Sequence, residues 1–193
     1  MPQEIRSGLP VEIRESDNVI TVSGYAAVFN QEATIGDYFI ERIAPGAFSS
    51  AITRDDVVFL INHEGLPMAR TRSRTLKLTE DERGLFMESE LDPDDTDVKL
   101  IIPKMRRGDL DKMSFRFTPM KQEWDDTGEL PVRTLLEVGL SDVSIVTFPA
   151  YEGTDIALRS LQDHRSATQP IPQIGHSKAR MRMNLSLIEA QAK

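Results

Sequence analysis

The segment Lys112-Met113-Ser114-Phe115-Arg116-Phe117-Thr118 alternates large apolar residues with polar ones. A period of two belongs to a strand with one buried face, whereas a helix would scatter Met113, Phe115 and Phe117 around its surface. Similar signals recur as far as Ala150. Val19 to Phe29 is rich in β-branched and aromatic residues, with Gly24 marking a bulge or a close approach of backbone. Tyr38 to Ile43 reads as a short strand that ends at the Pro45-Gly46 turn, and Ala47 to Ile52 as a short helix. Val57-Val58-Phe59-Leu60-Ile61 is apolar throughout, the pattern of a strand buried on both faces. Leu76 to Thr79 and Leu85 to Leu91 flank a polar connector ending in Gly84, which predicts a hairpin. Lys112 to Gln122 and Thr134 to Phe148 predict two more strands joined across Asp125-Asp126-Thr127-Gly128.

One longer helix stands out. Asp92-Pro93-Asp94-Asp95 suits a helix start, where unpaired N–H groups favour negative charge. Val98, Ile101, Ile102 and Met105 follow at helical spacing, and Lys104-Arg106-Arg107-Gly108 makes a basic end with a glycine stop. Pro103 should kink or break its last turn, because proline removes an internal hydrogen bond. Regular structure fades after Ala150. Residues 160–193 carry few large apolar groups before Met181 to Ile188, so a flexible tail is expected, closing in a short amphipathic helix.

Composition bounds the function. A chain of 193 residues suits one domain with tails, and 39% hydrophobic with 28% charged residues excludes wholesale disorder. The formal charge of −8 argues against a general nucleic-acid binder, which needs a basic surface to meet phosphates. Without cysteine there are no disulfides, thiolate metal sites or cysteine nucleophiles. The start Met1-Pro2-Gln3-Glu4 lacks a signal-peptide pattern, and no apolar run reaches the ~20 residues a membrane helix needs. A soluble intracellular protein with no membrane role is the expectation.

Three segments could carry chemistry. His63 stands in Ile61-Asn62-His63-Glu64-Gly65, at the exit of a buried strand, where a rigid element aims a ring and a loop opens the site. The bland alternative is a surface loop histidine. Ser114 shares the polar side of its strand with Arg116; a nucleophilic serine needs such a fixed position and a neighbouring base. Serine on a polar strand face is also ordinary structure. Asp142 lies inside the apolar stretch Leu136 to Ala150, where a carboxylate must find a partner, and an imidazole N–H would serve. Glu137 is its rival; an odd separation puts the two on opposite faces of an unbulged strand, so only one should enter a site. For either, a salt bridge to arginine is the structural alternative. A metal-dependent hydrolase using His63, Glu64 and the Asp92-Asp94-Asp95-Asp97 cluster would need converging oxygens, yet that cluster reads better as a solvated helix start.

Taken in order, these segments resemble the prohead (procapsid) proteases of tailed bacteriophages, whose fold is similar to that of the herpesvirus assemblins. The matching pieces are Gly24-Tyr25-Ala26-Ala27-Val28-Phe29-Asn30, Ile40-Glu41-Arg42-Ile43-Ala44-Pro45-Gly46-Ala47-Phe48, Asn62-His63, Arg107 to Phe117, and Glu137 through Pro149-Ala150. The resemblance implies an α+β, mainly β fold: a closed β-barrel with flanking helices over 18–158, preceded by an extension, 1–17, and followed by a tail, 159–193. It implies serine endopeptidase activity inside the assembling procapsid, with scaffold or the major capsid protein's scaffolding segment as substrate, and often the protease itself. His63 and Ser114 match the family's histidine and serine, and Asp142 fills the acidic slot before Val143-Ser144. No cofactor or metal is implied. Self-association is, since the assemblins dimerise. Three departures are plain: aspartate is shorter than the glutamate common at position 142, Arg116 occupies a slot often held by a small residue, and Tyr151 replaces a common asparagine. The competing reading is a non-catalytic assembly protein that keeps the fold and binds scaffold.

Overall fold

The alternation beginning at Lys112 is realised as a strand: Met113, Phe115 and Phe117 are buried to 0%, 1% and 0% exposure on one side. A computed structural model describes residues 3–16, 19–148 and 154–168. The chain starts with β1 (Glu4–Ser16) and β2 (Val19–Val28), then β3 (Ala33–Ile35), β4 (Phe39–Ile43) and the short helix α1 (Ser49–Arg54). Next come β5 (Val58–Ile61), β6 (Glu64–Arg70) and the hairpin of β7 (Leu76–Glu80) with β8 (Gly84–Leu91). Helix α2 (Thr96–Arg107) leads into two long strands, β9 (Lys112–Asp125) and β10 (Val132–Val146), followed by α3 (Thr154–Thr168).

Among the described residues, the ten strands belong to one sheet with the path β3-β4-β10-β9-β1-β2-β8-β7; β5 adds to β10, and β6 to β5. The expected closed barrel is corrected here. Among the described residues the two ends of the path, β3 and β7, are not paired with each other, so the sheet is open. The reason lies in β10. Its outer edge is divided between two short parallel partners, β4 along Val132 to Leu135 and β5 along Asp142 to Ile145. An edge split in this way branches the sheet instead of continuing one ladder round to closure.

Helix α2 forms as its sequence dictates. The Asp95 carboxylate accepts from the Asp97 and Val98 N–H groups, Gly108 closes the C-terminus at φ 79°, and Val98, Ile101, Ile102 and Met105 are buried. Pro103 does not end the helix, which runs on to Arg107. Burial of that four-residue face offsets the ~3 kcal/mol that an internal proline costs. The other helix at the chain's end, α3, takes in part of the expected tail; the amphipathic helix expected over Met181 to Ile188 lies outside the described residues.

Two features of the sheet bear on the site. An aromatic series runs from Phe29 to Phe48, Phe115 and Phe117, with ring centroids 6.1, 5.5 and 5.1 Å apart, and it supports the apolar side of β9. The first strand comes from residues read as an extension, because its inward side chains include charges. Glu4 and Arg6 are 1% and 5% exposed, and they pair with Glu41 of β4 and Arg133 of β10, themselves 3% and 0% exposed. Burial of four charges is tolerable because they sum to zero and are joined by paired hydrogen bonds.

Candidate active site

Three neighbouring strands supply the site. Ser114 on β9 stands directly opposite Ser144 on β10, and β10 is flanked on its other side by β5, whose Leu60 faces Ser144. A bulge decides what β10 presents. Leu140 pairs with Phe117 but Asp142 with Arg116, so β10 carries one extra residue, Ser141, between them. Leu140 above the bulge and Val143 and Ile145 below it are all buried in the core. The parity change turns Asp142 and Ser144 to the side that holds Ser114. Without the bulge, Asp142 would share the face of Leu140.

His63 is placed by a tight turn where the sequence suggested an open loop. Ile61 pairs with Glu64 across Asn62 and His63, whose φ values are 51° and 60°. Positive φ at both central positions is the requirement of a type I′ hairpin turn, and Asn and His tolerate it better than most residues. Asn62 secures the turn: its Oδ1 accepts from the Thr147 N–H at 2.9 Å and its own N–H donates to the Ile145 carbonyl at 2.9 Å.

The result is one hydrogen-bonded chain. His63 Nε2 lies 2.7 Å from Ser114 Oγ, and His63 Nδ1 lies 2.5 Å from Asp142 Oδ1. Ser144 Oγ donates to the same carboxylate oxygen at 2.7 Å. Arg116 holds the remaining features: its Nε lies 3.4 Å from Asp142 Oδ2, and a terminal guanidinium N–H donates to the His63 carbonyl at 3.0 Å. With Asp142 accepting at Nδ1, the neutral ring keeps a lone pair at Nε2 for the serine proton.

The sequence placed His63, Ser114 and Asp142 together, and so does the structure. It does not bring in Glu137, which is 39% exposed and faces Arg54 of α1 at 3.7 Å. The odd separation from Asp142 presumed an unbulged strand, and β10 is bulged. The acidic cluster of the metal-site alternative is occupied locally: Asp95 caps α2, Asp92 accepts from the Asp94 N–H, and Asp94 pairs with Lys99. Among the described residues no group of His, Asp and Glu could hold a metal ion. One contributor went unrecognised in the sequence: Ser144 could have been found from its position two residues beyond Asp142 on the same strand side. Arg116 was read there on the side of Ser114, but its contacts with Asp142 and the His63 carbonyl were not legible.

Ser114 is completely enclosed, at 0% exposure, and His63 is 7% exposed. What covers the serine is the start of the chain itself: Ser7 is its direct neighbour on β1, and Ser114 Oγ donates to the Arg6 carbonyl at 2.8 Å. A hydroxyl has one proton, so the Arg6 carbonyl and His63 Nε2 compete for it.

A serine hydroxyl, an imidazole and a buried carboxylate in hydrogen-bonded series on rigid strands make the arrangement used by serine hydrolases. The chain belongs to the caudovirus prohead serine protease family, whose profile matches residues 7–167. It is 33% identical over 140 residues to the prohead protease of Enterobacteria phage HK97, a match covering 69% of this chain and 57% of that protein. The chain thus spans little more than half the length of this relative. Its fold is similar to that of the bacteriophage T4 capsid assembly protease, gp21, with a TM-score of 0.50 at 14% identity, covering 76% of this chain and 98% of the other.

Proposed function

We propose that the chain is a serine endopeptidase of phage head maturation, with Ser114 as nucleophile, His63 as general base and Asp142 as the orienting carboxylate. The observation that carries this reading is the unbroken contact series at 2.7 and 2.5 Å from Ser114 through His63 to Asp142. His63 Nε2 takes the hydroxyl proton as Ser114 Oγ bonds to the scissile carbonyl carbon. The C–N bond then breaks, the same proton passes to the leaving amine, and water releases the acyl group by the reverse sequence. Asp142 fixes the ring through Nδ1–H and stabilises the imidazolium that forms. Ser144 and Arg116 commit both oxygens of that carboxylate, so it cannot turn away. The substrates are proteins enclosed with it in the procapsid: scaffold, the scaffolding segment of the major capsid protein, and the protease's own tail.

Co-expression with the major capsid protein of the same phage tests the reading. Intact-mass measurement is expected to show shortened capsid protein with the wild type and full-length protein with Ser114→Ala. Equal processing in both would sink it, and full-length capsid protein in both would favour the non-catalytic assembly reading.

Arg116 acts as a positioning residue within this scheme. Losing a hydrogen bond to a charged group costs about 1.5–3 kcal/mol. Arg116→Ala should therefore lower kcat by about 10–150-fold with KM nearly unchanged, and Arg116→Lys should recover part of the loss. A matching rise in KM with kcat intact would mean that Arg116 binds substrate instead.

A further inference from the structure

Met113, Phe115 and Phe117 of β9 face the core, so Ser114, Arg116 and Thr118 share the opposite side of the strand. On that side lies a depression of about 470 Å³. Thr118 and Met120 of β9 with Gly139 and Ser141 of β10 form its floor, and Arg54 and Asp55 at the end of α1 form its wall. The pairing register ties it to the catalytic row. Ser114 stands opposite Ser144, Arg116 opposite Asp142, and Thr118 opposite Gly139. The floor thus begins two residues along β9 from Arg116, with the Ser141 bulge as the shared border. Exposure rises in the same direction, from Ser114 at 0% through the Arg116 side chain at 29% to Met120 at 51%. The site opens to solvent towards the depression.

The lining dictates what can fill it. Asp55 accepts from the Leu140 N–H at 2.7 Å and from Arg54 at 2.7 and 3.0 Å. Ser141 Oγ accepts from Gln3 at 2.7 Å. The two charges of the wall are therefore matched to each other, and a charged occupant would give up hydration without gaining a partner. What remains is apolar. Gly139 leaves the floor bare: a Cβ there would meet Arg54 Nη2 at 3.5 Å and Asp55 Oδ2 and Met120 Sδ at 3.8 Å, which are ordinary contacts. Its φ is not among the positive ones, so neither the backbone nor a close neighbour demands glycine. The missing side chain leaves room beside an exposed methionine, whose flexible thioether adapts to apolar groups.

We propose that this depression is a substrate subsite, and that it receives a leucine or methionine side chain about four residues from the peptide bond that Ser114 attacks. The distance follows from β9. Ser114 to Thr118 is four residues of strand, and an extended peptide covers the same length with the same number of residues, at ~3.3 Å each. The inference rests on the catalytic role of Ser114 and adds to it the place and chemistry of a specificity pocket.

Digestion of a defined library of synthetic tetradecapeptides by the full-length protein, with the products sequenced by mass spectrometry, tests the subsite. Wild type is expected to favour leucine or methionine over alanine by about tenfold at one position, about four residues from the cut. Met120→Lys changes an exposed side chain and is expected to replace that preference with one for aspartate or glutamate. Gly139→Leu fills the floor and is expected to abolish the preference at that position while the other positions keep theirs. Thermal melting of both variants checks that they are folded, and Met120→Lys carries the test alone if Gly139→Leu is not. Fluorophosphonate labelling of Ser114 in the wild type reports the catalytic reading separately. With Ser114 labelled, three results would each overturn the subsite and leave the catalytic reading standing: no apolar preference at that distance, an unchanged profile in Met120→Lys, or no peptide cleaved at all. Failure to label Ser114 would overturn the catalytic reading and the subsite with it.

Discussion

Ser114→Ala and His63→Ala are each expected to reduce kcat/KM by about 10⁴–10⁶-fold, and the double variant by no more than either alone. The reason is that the two side chains act as one unit. His63 Nε2 is within 2.7 Å of Ser114 Oγ, so the imidazole has no proton to take once the hydroxyl is gone, and the hydroxyl no base once the imidazole is gone. Additive losses would mean that the two contribute independently, which the proposed mechanism forbids. Peptide hydrolysis by purified protein checks this directly. Thermal melting of the same samples should show folded proteins, since Ser114→Ala removes one oxygen beside an aromatic-backed strand.

Arg133→Met is expected to destabilise the fold by about 3–5 kcal/mol, the range for removing one member of a buried ion pair. For a chain of this size that corresponds to a fall in Tm of about 6–20 °C. Arg133 donates to Glu4 and Glu41 and, through Nε, to Gln122 at 2.7 Å. Its loss leaves two buried carboxylates sharing Arg6. Glu4 shows the balance: burial pushes its pKa up, while the Arg133 hydrogen bonds and charge, helped by Arg6, outweigh burial and leave it below its ordinary value. A lowered folded pKa contributes stability above the unfolded value, and that contribution is lost as pH falls through the folded value. With Arg133 absent the opposition to burial weakens, so denaturation of the variant on acidification should begin at higher pH than in wild type. Denaturant titrations across pH measure both effects; a variant as stable as wild type with the same acid limb would show the cluster to be unimportant.

Much of the sheet was legible because strand periodicity is a local property. Met113, Phe115 and Phe117 can share a face only in extended backbone, and Val57 to Ile61 can be satisfied only by burial on both sides. The start of β1 was not legible. Glu4 and Arg6 are charged, and charge reads as solvent unless the partners are known; those partners stand 35 and 129 positions away at Glu41 and Arg133. The closed barrel expected from resemblance failed for a similar reason, since strand pairing at the two ends of the path is a long-range matter.

His63, Ser114 and Asp142 were identifiable as candidates from the sequence, and the roles proposed for them came from the family resemblance. Their meeting was decided in three dimensions. An extra residue at Ser141 turned Asp142 from core to site, a two-residue turn with positive φ aimed His63, and β1, paired beside β9, closed over Ser114. Which segments extend and which groups could react were already written in the order of residues, because both follow from side-chain chemistry within a few positions. Which oxygen faces which nitrogen, and what covers them, waited on the folded chain, because bulges, turns and edge pairings are settled by contacts between its distant parts.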